Sequence, residues 1–370
     1  MSVAKRPRPP QAVEPVVFFT RGSPLSTLCC VRENALQLVI YQGEEGFDAL
    51  RGEWNALLRR SIVNQLFLTW EFQRIWWQHW GEGTIYFLTW RNQHELVGIA
   101  PLYVARVNGA RHIRLNGGTE VADYLDLIVA PGYERPVVRG LLDWLCGVDA
   151  PTWDVLELVN VPEGGVVHTY VPANASSLGW KVDTKVEDVC PIIPLPSTWE
   201  EYLAMLKKHQ RHEIRRKMRR IELETTVRWY IVDRSHDLDV EVDRFIRLHE
   251  LSSPAKDAFM TNEMKRFFRA LAKVMLEAGW LQLSFIEVFG EAAASMFCFD
   301  YNDSILVYNS GYDPDKYFEF SPGIVLLSYC IRHAIELGKR KFDFMQGDEE
   351  YKYRFGGQDT RVYRITATRP

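Results

Sequence analysis

Residues 304–357 constrain the fold of this chain most, because a strand, a turn, a helix and a second strand follow one another there. The run Ser304–Ser310 has the β-branched and aromatic residues typical of a strand. Ser321 and Pro322 predict a helix start, with Ser321 as N-cap and Pro322 at the first helical position. Gly338 predicts the end of that helix. A strand followed by a helix start predicts an anion site, because the first helical turn offers free N–H groups.

Four separated motifs carry a resemblance to a known family. They are Gly311-Tyr-Asp-Pro, Ser321-Pro-Gly, Phe342-Asp-Phe and Gly347-Asp-Glu-Glu-Tyr-Lys-Tyr-Arg. In this order and spacing they resemble the CelD/BcsL group of the GNAT acyltransferase superfamily, which is distantly similar to the FemAB peptidyltransferases. The N-terminal half agrees more loosely, through a Trp-rich segment, Gly98–Leu102 and Asp123–Asp126. The resemblance covers about residues 38–358 and implies an α/β (α+β) fold of two tandem GNAT-like domains, each a mixed central sheet flanked by helices.

The resemblance also implies a reaction. In GNAT enzymes a bound nucleophile, usually an amine, attacks an acyl-thioester, and a backbone N–H of the central strand stabilises the tetrahedral intermediate. By position the central strand is Ile305–Ser310 and the pyrophosphate loop is Ser321–Gly323, so acetyl-CoA or another acyl-CoA is the expected co-substrate. Its predicted binding residues are Asn309, Ser310, Ser321, Gly323 and Ile324. The loop departs from the superfamily pattern, with Phe318 at the usual Arg or Gln, Ser321 at the first Gly, and a proline that removes a donor.

Four side chains that follow Gly347 are candidates for catalytic or binding roles, because they come after the short strand predicted at residues 342–345. Tyr351 is the preferred acid for the departing thiolate, ahead of Tyr308, because polar groups surround it near a strand end. Asp348 and Lys352 are predicted to orient the acceptor, and Arg354 to bind an anionic group of donor or acceptor. The alternative is that the Asp348–Lys352 stretch is a capped, solvated turn.

Three aspartates have open assignments. Residues 123–129 are predicted to form a strand. Asp123 and Asp126, beside a Gly-rich turn, are predicted either to hold substrate hydroxyls or to serve as turn and cap residues. Asp343 lies between two aromatic residues in a buried strand, so its carboxylate must either pair or face the cleft as a substrate-binding group.

Composition limits the class of protein. At 370 residues the chain is long for one core and fits two domains of GNAT size. With 44 basic and 48 acidic residues, the chain as a whole is not a polyanion binder. The sequence has no uninterrupted apolar run of about 18 residues, so no membrane span is predicted. Six cysteines without metal-ligand spacing predict no metal site, and a reducing, cytoplasmic location is expected.

The predicted organisation has three parts. Residues 1–36 are Pro-rich and predicted to be mostly disordered. Residues 37–195 form an N-terminal GNAT-like domain, and residues 196–370 form the C-terminal domain, which carries the acyl-CoA and substrate motifs. The boundary is placed at Pro191–Pro196, where three prolines interrupt the pattern. We expect the two domains to pack face to face, with the acceptor cleft between them.

A basic segment follows the boundary. Residues 199–221 are predicted to form one long helix whose cations outnumber its anions by eight to one between residues 207 and 220. Arg215 and Arg219 are therefore candidates for contact with an anionic partner: a nucleotide-sugar, a lipid-linked phosphate or RNA. A solvated helix face is the alternative, and the lack of interleaved aromatic residues counts against RNA.

Three functions are consistent with these patterns. The first is an N- or O-acyltransferase acting on a sugar or another small polar acceptor, in polysaccharide or envelope metabolism. The second is a non-catalytic GNAT-fold protein that binds a nucleotide or glycan and regulates polymer synthesis. The third is an aminoacyl-tRNA-dependent transferase similar to the FemAB proteins, which the basic helix alone supports.

Overall fold

The computed structural model describes residues 36–370 and, before them, the backbone of one strand. The tail predicted to be disordered lies otherwise outside the described residues. The strands are β1 (Val16–Phe18), β2 (Gln37–Gln42), β3 (Ile85–Asn92), β4 (Glu95–Val107), β5 (Ala110–Leu115), β6 (Ile128–Val129), β7 (Val155–Pro162), β8 (Lys181–Pro194), β9 (Val227–Ile231), β10 (Leu281–Val288), β11 (Glu291–Tyr301), β12 (Ser304–Tyr312), β13 (Lys341–Asp343) and β14 (Gln358–Thr368). The α-helices are α1 (Glu45–Arg60), α2 (Trp70–Trp80), α3 (Glu134–Cys146), α4 (Val166–Ser177), α5 (Trp199–Met205), α6 (Lys208–Glu224), α7 (Leu238–Ser252), α8 (Pro254–Phe259), α9 (Asn262–Glu277), α10 (Pro322–Glu336) and α11 (Glu350–Arg354).

The strands form one mixed sheet with an internal symmetry. Its order is β1-β2-β3-β4-β5-β7-β14-β8-β13-β12-β11-β10-β9, and β6 pairs with β4 at the side. The order from β2 to β9 repeats in reverse about the antiparallel pair β14 and β8. In each half one pair of strands is parallel, β5 with β7 and β12 with β13, and a crossover containing α3 or α10 joins the two strands. The α/β class and the tandem GNAT-like architecture are confirmed.

The two halves are joined edge to edge through this sheet, so the expectation of face-to-face packing is wrong. Nearly the whole of β8, residues 181–192, pairs with β14, and its last residues, Ile192–Pro194, pair with β13. The strand β14, from the end of the chain, also pairs with β7 of the N-terminal half. Each half contributes one strand to this junction. The domain boundary predicted at residue 195 therefore separates two parts of the chain that share one continuous sheet. Pro191 and Pro194, predicted to mark the domain boundary, lie within β8.

Two hydrophobic cores cover the C-terminal half on opposite faces of the sheet. One core is shared with the N-terminal half, where α2 packs on α9 and the rings of Trp80 and Phe267 lie 4.3 Å apart. The other core is formed by the apolar faces of α5, α6 and α10, with Ile214, Met218 and Leu326 among its buried residues. The C-terminal strands therefore separate a face toward the other half from a face covered by the basic helix.

Two predicted elements differ from the structure. The long helix over residues 199–221 is two helices, because Leu206 is extended (φ −77°, ψ 153°) and its buried side chain packs beside Gly356. The strand predicted over residues 123–129 is reduced to β6, because most of that segment crosses between the two halves instead of joining the sheet. Neither α4 nor most of β8 is predicted from the sequence.

Other features of the described chain concern thiols, metals and membranes. Cys190, Cys298 and Cys330 are buried, unpaired thiols. Within residues 36–370, no group of three or more His, Cys, Asp and Glu side chains is arranged to hold a metal ion. None of the helices described for this chain is both long and apolar enough to cross a membrane.

Candidate active site

The parallel strands β12 and β13 separate after a short stretch of pairing. They pair from Ser304 opposite Lys341 to Leu306 opposite Asp343, and β12 then continues to Tyr312 paired with β11 on its other side. A cavity of about 360 Å³ lies where they separate, at the start of α10. It brings together five of the residues predicted from the sequence: Ser310, Ser321, Gly323, Ile324 and Tyr351.

A β-bulge in β12 decides which side chains face this cavity. Phe297 pairs with Asn309 and the next residue pairs with Val307, so Tyr308 is an extra residue in the strand. As a result Tyr308 and Asn309 both turn toward α7 and α9. The Tyr308 hydroxyl donates to the Val121 carbonyl (2.8 Å), and Asn309 Oδ1 lies 3.0 Å from the ring Nε2 of a histidine in α7. The structure therefore does not support Tyr308 as the acid, nor the Asn309 side chain as a group that binds the acyl-CoA.

The backbone of β12 alternates between its partner strand and its free edge. The Asp313 N–H donates to the Ala293 carbonyl of the adjoining segment. This bond makes the pair of Tyr312 with Ala294 a non-hydrogen-bonded pair, and the same holds two residues earlier for Ser310 with Met296. The N–H and C=O groups of Tyr312 and Ser310 consequently point away from β11, toward the edge where β13 has separated.

Side chains from the α7–α8 region form hydrogen bonds with most of these backbone N–H and C=O groups. The Ser252 hydroxyl accepts from the Tyr312 N–H (2.9 Å) and contacts the Tyr312 carbonyl at 3.2 Å. Lys256 Nζ donates to the Ser310 carbonyl at 2.5 Å. By this register the Ser310 N–H has no partner in β11, and no side chain of the described residues accepts from it. Since backbone donors in folded proteins are almost always paired, this N–H is available to a ligand in the cavity.

The start of α10 offers fewer donors than the sequence suggested. Ser321 is at the N-cap as predicted, but it has a left-handed backbone (φ 52°) and its side chain does not cap the helix. Pro322 has no N–H, and the Ile324 N–H already donates to the Ser321 carbonyl (3.0 Å), so Gly323 provides the one uncommitted N–H among the first three helical residues. The Ser321 hydroxyl instead accepts from Lys217 Nζ of α6 at 2.9 Å. The left-handed backbone of Ser321 is strained, and strain of this kind is often retained at ligand sites.

Tyr351 has the environment of a proton donor. It lies in α11, lines the cavity, and packs edge-on against Phe344 at 5.9 Å between ring centroids. Its hydroxyl forms no hydrogen bond within the part of the chain that the structure covers. Burial raises the pKa of Tyr351 above its ordinary value, and Glu349 raises it further. The phenol is therefore protonated at neutral pH and can donate to a ligand.

Lys352 has a structural environment. Its side chain is 2% exposed, and Nζ donates to the carbonyl oxygens of Met345 (3.2 Å), Gln346 (2.7 Å) and Gly347 (3.0 Å). It also forms an ion pair with Glu349 at 2.9 Å. The prediction that Lys352 emerges to orient the acceptor is wrong, because all its bonds hold together the turn after β13.

Asp348 and Arg354 lie on the surface of this motif. Asp348 is exposed, and Arg354 is paired with Glu350 at 2.7 Å. Their roles toward acceptor and anion stay predictions.

Two carboxyl groups meet at the junction of the halves. Asp123 accepts from the Gln346 N–H (3.4 Å), and Asp343 accepts from the Tyr124 hydroxyl (3.0 Å) and the Met345 N–H (2.8 Å). Burial, together with the neighbouring Asp343 charge, raises the pKa of Asp123 from 3.8 to about 7. Burial also raises the pKa of Asp343 to about 6. Asp343 thus follows the paired alternative, and Asp123 contacts Gln346 in the turn after β13.

Asp126 follows the cap alternative. Its carboxylate is buried and accepts from the backbone N–H groups of Leu127 (2.8 Å), Val166 (2.7 Å) and Val167 (2.8 Å). The last two begin α4, so Asp126 satisfies the start of that helix and is not placed to bind substrate hydroxyls.

The basic helix α6 is partly neutralised. Arg215 pairs with Glu200, and two further arginines of α6 pair with Glu213 and Glu224. Arg219 is exposed and has no acidic partner among the described residues. Arg215 and Arg219 line a shallow surface depression along α6, not the cavity. Contact with an anion there stays a prediction.

Sequence reasoning missed the groups of the α7–α8 region. Ser253 followed by a proline signals the start of α8, and the Ser253 side chain does accept from the Lys256 N–H (3.3 Å). Nothing in the local pattern shows that the Lys256 ammonium reaches β12, since that contact joins residues 54 positions apart.

Residues 208–353 match the family described as the acetyltransferase (GNAT) domain. Three solved structures are similar to this chain in fold. FemX has a TM-score of 0.62 and 12% identity, covering 85% of this chain and 95% of its own. A conserved protein of unknown function from Bacteroides thetaiotaomicron has a TM-score of 0.55 and 10% identity, with coverage of 86% and 97%. L-PGS from Bacillus licheniformis has a TM-score of 0.52 and 11% identity, with coverage of 86% and 91%. No curated protein matches the sequence.

Proposed function

We propose that this protein transfers an acetyl or other acyl group from acyl-CoA to an amine or hydroxyl of a sugar or another small polar acceptor, in polysaccharide or cell-envelope biosynthesis. One observation carries the proposal. The unpartnered Ser310 N–H lies at the cavity between the separating strands β12 and β13, inside the region that matches the GNAT domain family. A donor N–H at such a position can stabilise negative charge on an acyl oxygen.

The cavity suits an acyl-thioester with a phosphate-bearing carrier. Its apolar lining includes Met296 and Leu327, which suits the carrier's thioester arm. At the start of α10, the Gly323 N–H and the Lys217 ammonium would bind a phosphate. The acyl-CoA supplies an activated acyl group, and the Ser310 N–H would hold its carbonyl oxygen.

Tyr351 is the proposed acid. Its phenol faces the cavity and has no protein partner in the described region. It would protonate the thiolate that leaves when the acyl group is transferred.

The acceptor would approach from the side of the N-terminal half. Asp123, on the segment that contacts the Gln346 turn, and the exposed Asp348 provide carboxyl groups that suit hydroxyl or amine donors of a sugar. Arg354 would bind an anionic group of the donor or acceptor. The choice of a sugar rests on the family resemblance of the sequence motifs.

The test removes one backbone donor. Ser310→Pro deletes the N–H, and because this N–H makes no ladder bond, a proline is tolerated better there than elsewhere in β12. Ser310→Ala is the matched control, since it keeps the N–H and removes only the hydroxyl. We expect Ser310→Ala to bind and use acetyl-CoA like the wild type, and Ser310→Pro to release thiol from acetyl-CoA about 10²- to 10³-fold more slowly. Equal rates for both variants, or a wild type that does not bind acetyl-CoA in calorimetry, would refute the proposal.

A non-catalytic ligand-binding protein is the second candidate, favoured by the reduced set of donors at the start of α10. It predicts binding of a nucleotide or glycan without turnover of any acyl-CoA. A wild type that binds acetyl-CoA but releases no thiol with a panel of amino sugars would favour it.

The arginines of α6 favour an anionic partner for either candidate, including an aminoacyl-tRNA. We expect Arg215→Gln with Arg219→Gln to weaken binding of a nucleotide-sugar or of tRNA, measured by fluorescence anisotropy. The loss should shrink as salt rises, because the Debye length is only roughly 10 Å at about 0.1 M salt. Unchanged affinity for both probes would leave α6 as a solvated helix face.

A further inference from the structure

Lys256 places a positive charge beside the available N–H of the central strand. Its Nζ is 2.5 Å from the Ser310 carbonyl oxygen and 3.4 Å from the Ser310 hydroxyl. It forms no ion pair with any residue that the structure describes. Burial lowers the pKa of Lys256, and the carboxylate of Glu349 across the opening counteracts part of that shift.

The ammonium has a donor to spare. A lysine ammonium carries three N–H donors, of which the Ser310 carbonyl takes one and the hydroxyl at most a second. The N–H and C=O of one strand residue point to the same side, so the Lys256 ammonium and the Ser310 N–H face the same space. Ser310 lines the cavity where β12 and β13 have separated, and the Lys256 ammonium lies beside this part of the lining through its bond to the Ser310 carbonyl.

A purely structural role for the contact between Lys256 and Ser310 does not explain why a charged side chain is placed there. Ser252 already joins the α7–α8 region to β12 through both backbone groups of Tyr312. A half-buried ammonium without a counter-ion costs free energy that a neutral side chain would not. The other titratable groups nearby are His249 of α7, whose pKa burial lowers to about 4, and the Glu349 carboxylate. At neutral pH, Lys256 is therefore the cation among these three groups.

We propose that Lys256 is a catalytic residue that acts with the Ser310 N–H as a second donor to the acyl oxygen; this rests on the proposed function. The acceptor's nitrogen or oxygen forms a bond to the acyl carbon and loses its proton to water. The carbonyl electron pair moves onto the oxygen, where the Lys256 ammonium and the Ser310 N–H stabilise the charge. When the carbonyl re-forms, the carbon–sulfur bond breaks and the thiolate takes the proton of Tyr351, which recovers a proton from water.

The test compares two ligands by calorimetry. CoA itself reports binding of the carrier, and the trifluoromethyl ketone analogue of acetyl-CoA, whose hydrated carbonyl is tetrahedral, reports stabilisation of the acyl oxygen. Lys256→Met removes the charge and keeps an unbranched apolar side chain. Ser252→Ala is the matched control, because it breaks the neighbouring tie to β12 without changing charge. Thermal unfolding establishes that each variant is folded.

We expect both variants to bind CoA as the wild type does. Lys256→Met should bind the ketone about 10²-fold more weakly, whereas Ser252→Ala should keep the wild-type affinity. A Lys256→Met variant whose ratio of ketone to CoA affinity equals that of Ser252→Ala overturns the inference and leaves the proposed function intact. A wild type that binds neither ligand overturns the proposed function and the inference with it.

A second variant keeps the test decisive if Lys256→Met does not fold. In the wild type, affinity for the ketone should fall as pH rises through the lowered pKa of Lys256, whereas affinity for CoA should not follow it. In Lys256→Arg the fall should move to higher pH, because a guanidinium remains charged. An identical pH profile in wild type and Lys256→Arg contradicts a role for the ammonium.

Discussion

The two halves of the molecule make the same opening in their sheets and treat it differently. In the N-terminal half β5 pairs with β7 only at His112–Val155 and Ile113–Leu156, and then the strands separate, as β12 and β13 do. There the gap is filled by residues 119–127. The Leu125 N–H donates to the Asn160 carbonyl (2.8 Å), and most apolar side chains of that segment are buried. In the C-terminal half the corresponding space is a cavity of about 360 Å³.

The helices that follow the two openings differ in charge. The helix α3 begins with Glu134, whose carboxylate accepts from the Gly132 N–H at 3.0 Å. The helix α10 has no acidic residue in its first turn and has Lys217 beside its N-cap. Because the start of a helix favours negative charge, the α3 start is already satisfied by its own glutamate, whereas the α10 start can receive a ligand phosphate.

The segment that fills the N-terminal opening also supports the other half. It provides the Val121 carbonyl for the Tyr308 hydroxyl, Asp123 for the Gln346 turn and the Tyr124 hydroxyl for Asp343. Strand separation alone therefore does not make a site; the loop after the strand decides whether the gap becomes core or cavity. We infer that the N-terminal half acts as a wall for a single active site.

The largest expected effect tests the acid in the open half. Tyr351→Phe keeps the ring against Phe344 and deletes only the hydroxyl. We expect thiol release to fall about 10²- to 10⁴-fold, with acetyl-CoA affinity unchanged, because only proton donation is lost. Steady-state kinetics with the wild-type acceptor would check this, and Tyr353→Phe, on the exposed side of α11, is the control. A folded Tyr351→Phe enzyme with wild-type turnover would show that Tyr351 is not the acid.

Filling the cavity should make the two halves alike. A Cβ at Gly323 meets no atom within 4 Å, so Gly323→Trp can extend into the open space without displacing the backbone. We expect acetyl-CoA binding to be lost in calorimetry while the melting temperature stays close to that of the wild type. The control is Gly52→Trp in α1, where a Cβ is equally unobstructed but far from any opening. Retained acetyl-CoA binding by Gly323→Trp would place the donor elsewhere.

Asp126 lies in the N-terminal half, where the opening is filled, so replacing it should affect stability without affecting ligand binding. Asp126→Asn would face three backbone donors with one oxygen and an amide group, so we expect a loss of about 1–3 kcal/mol in the free energy of unfolding. Acetyl-CoA affinity of the folded variant should not change. Denaturant titration measures the loss, and Asp348→Asn, at an exposed position, is the control with a change within about 0.5 kcal/mol. A variant of wild-type stability with weakened ligand binding would reverse the assignment of Asp126.

The smallest effect concerns the junction between the halves. The pKa of Asp123 is raised from 3.8 to about 7 and that of Asp343 to about 6, so folding favours their protonated forms. Their contribution is fully present below pH 3.8 and is lost as pH rises through about 6 to 7. We expect Asp123→Asn to flatten the decline of melting temperature between those limits, measured by calorimetry across this range. An unchanged or steeper decline in the variant would contradict a raised pKa of Asp123 in the folded protein.

The local elements of this fold could be predicted from the sequence, and the long-range ones could not. The helix α10 begins at Pro322, as the Ser321 and Pro322 pair predicts, and ends two residues before Gly338, the predicted stop. The strand β8 was missed, because much of it is exposed and its pairing partner β14 lies about 170 residues further along the chain. Charge and periodicity within residues 181–190 do not reveal such a partner.

The same limit applies to the site. Ser310, Gly323 and Tyr351 were assigned to one site from the motifs, and the structure brings them to one cavity. One inserted residue in β12 turned Asn309 away, because a shift of one position moves a side chain to the other face of a sheet. Lys352 looked like an exposed cation in the sequence, yet three carbonyl groups of its own turn enclose it.

Amide hydrogen exchange of the protein, measured with and without bound acetyl-CoA, tests the central claim of one active site most directly. Full-length protein would be titrated to find the stoichiometry, and amide exchange would then be compared with and without the ligand. The account predicts one acetyl-CoA for each chain and slower exchange at residues 308–325, with no change at residues 116–135. Two ligands for each chain, or protection that includes the N-terminal opening, would contradict it.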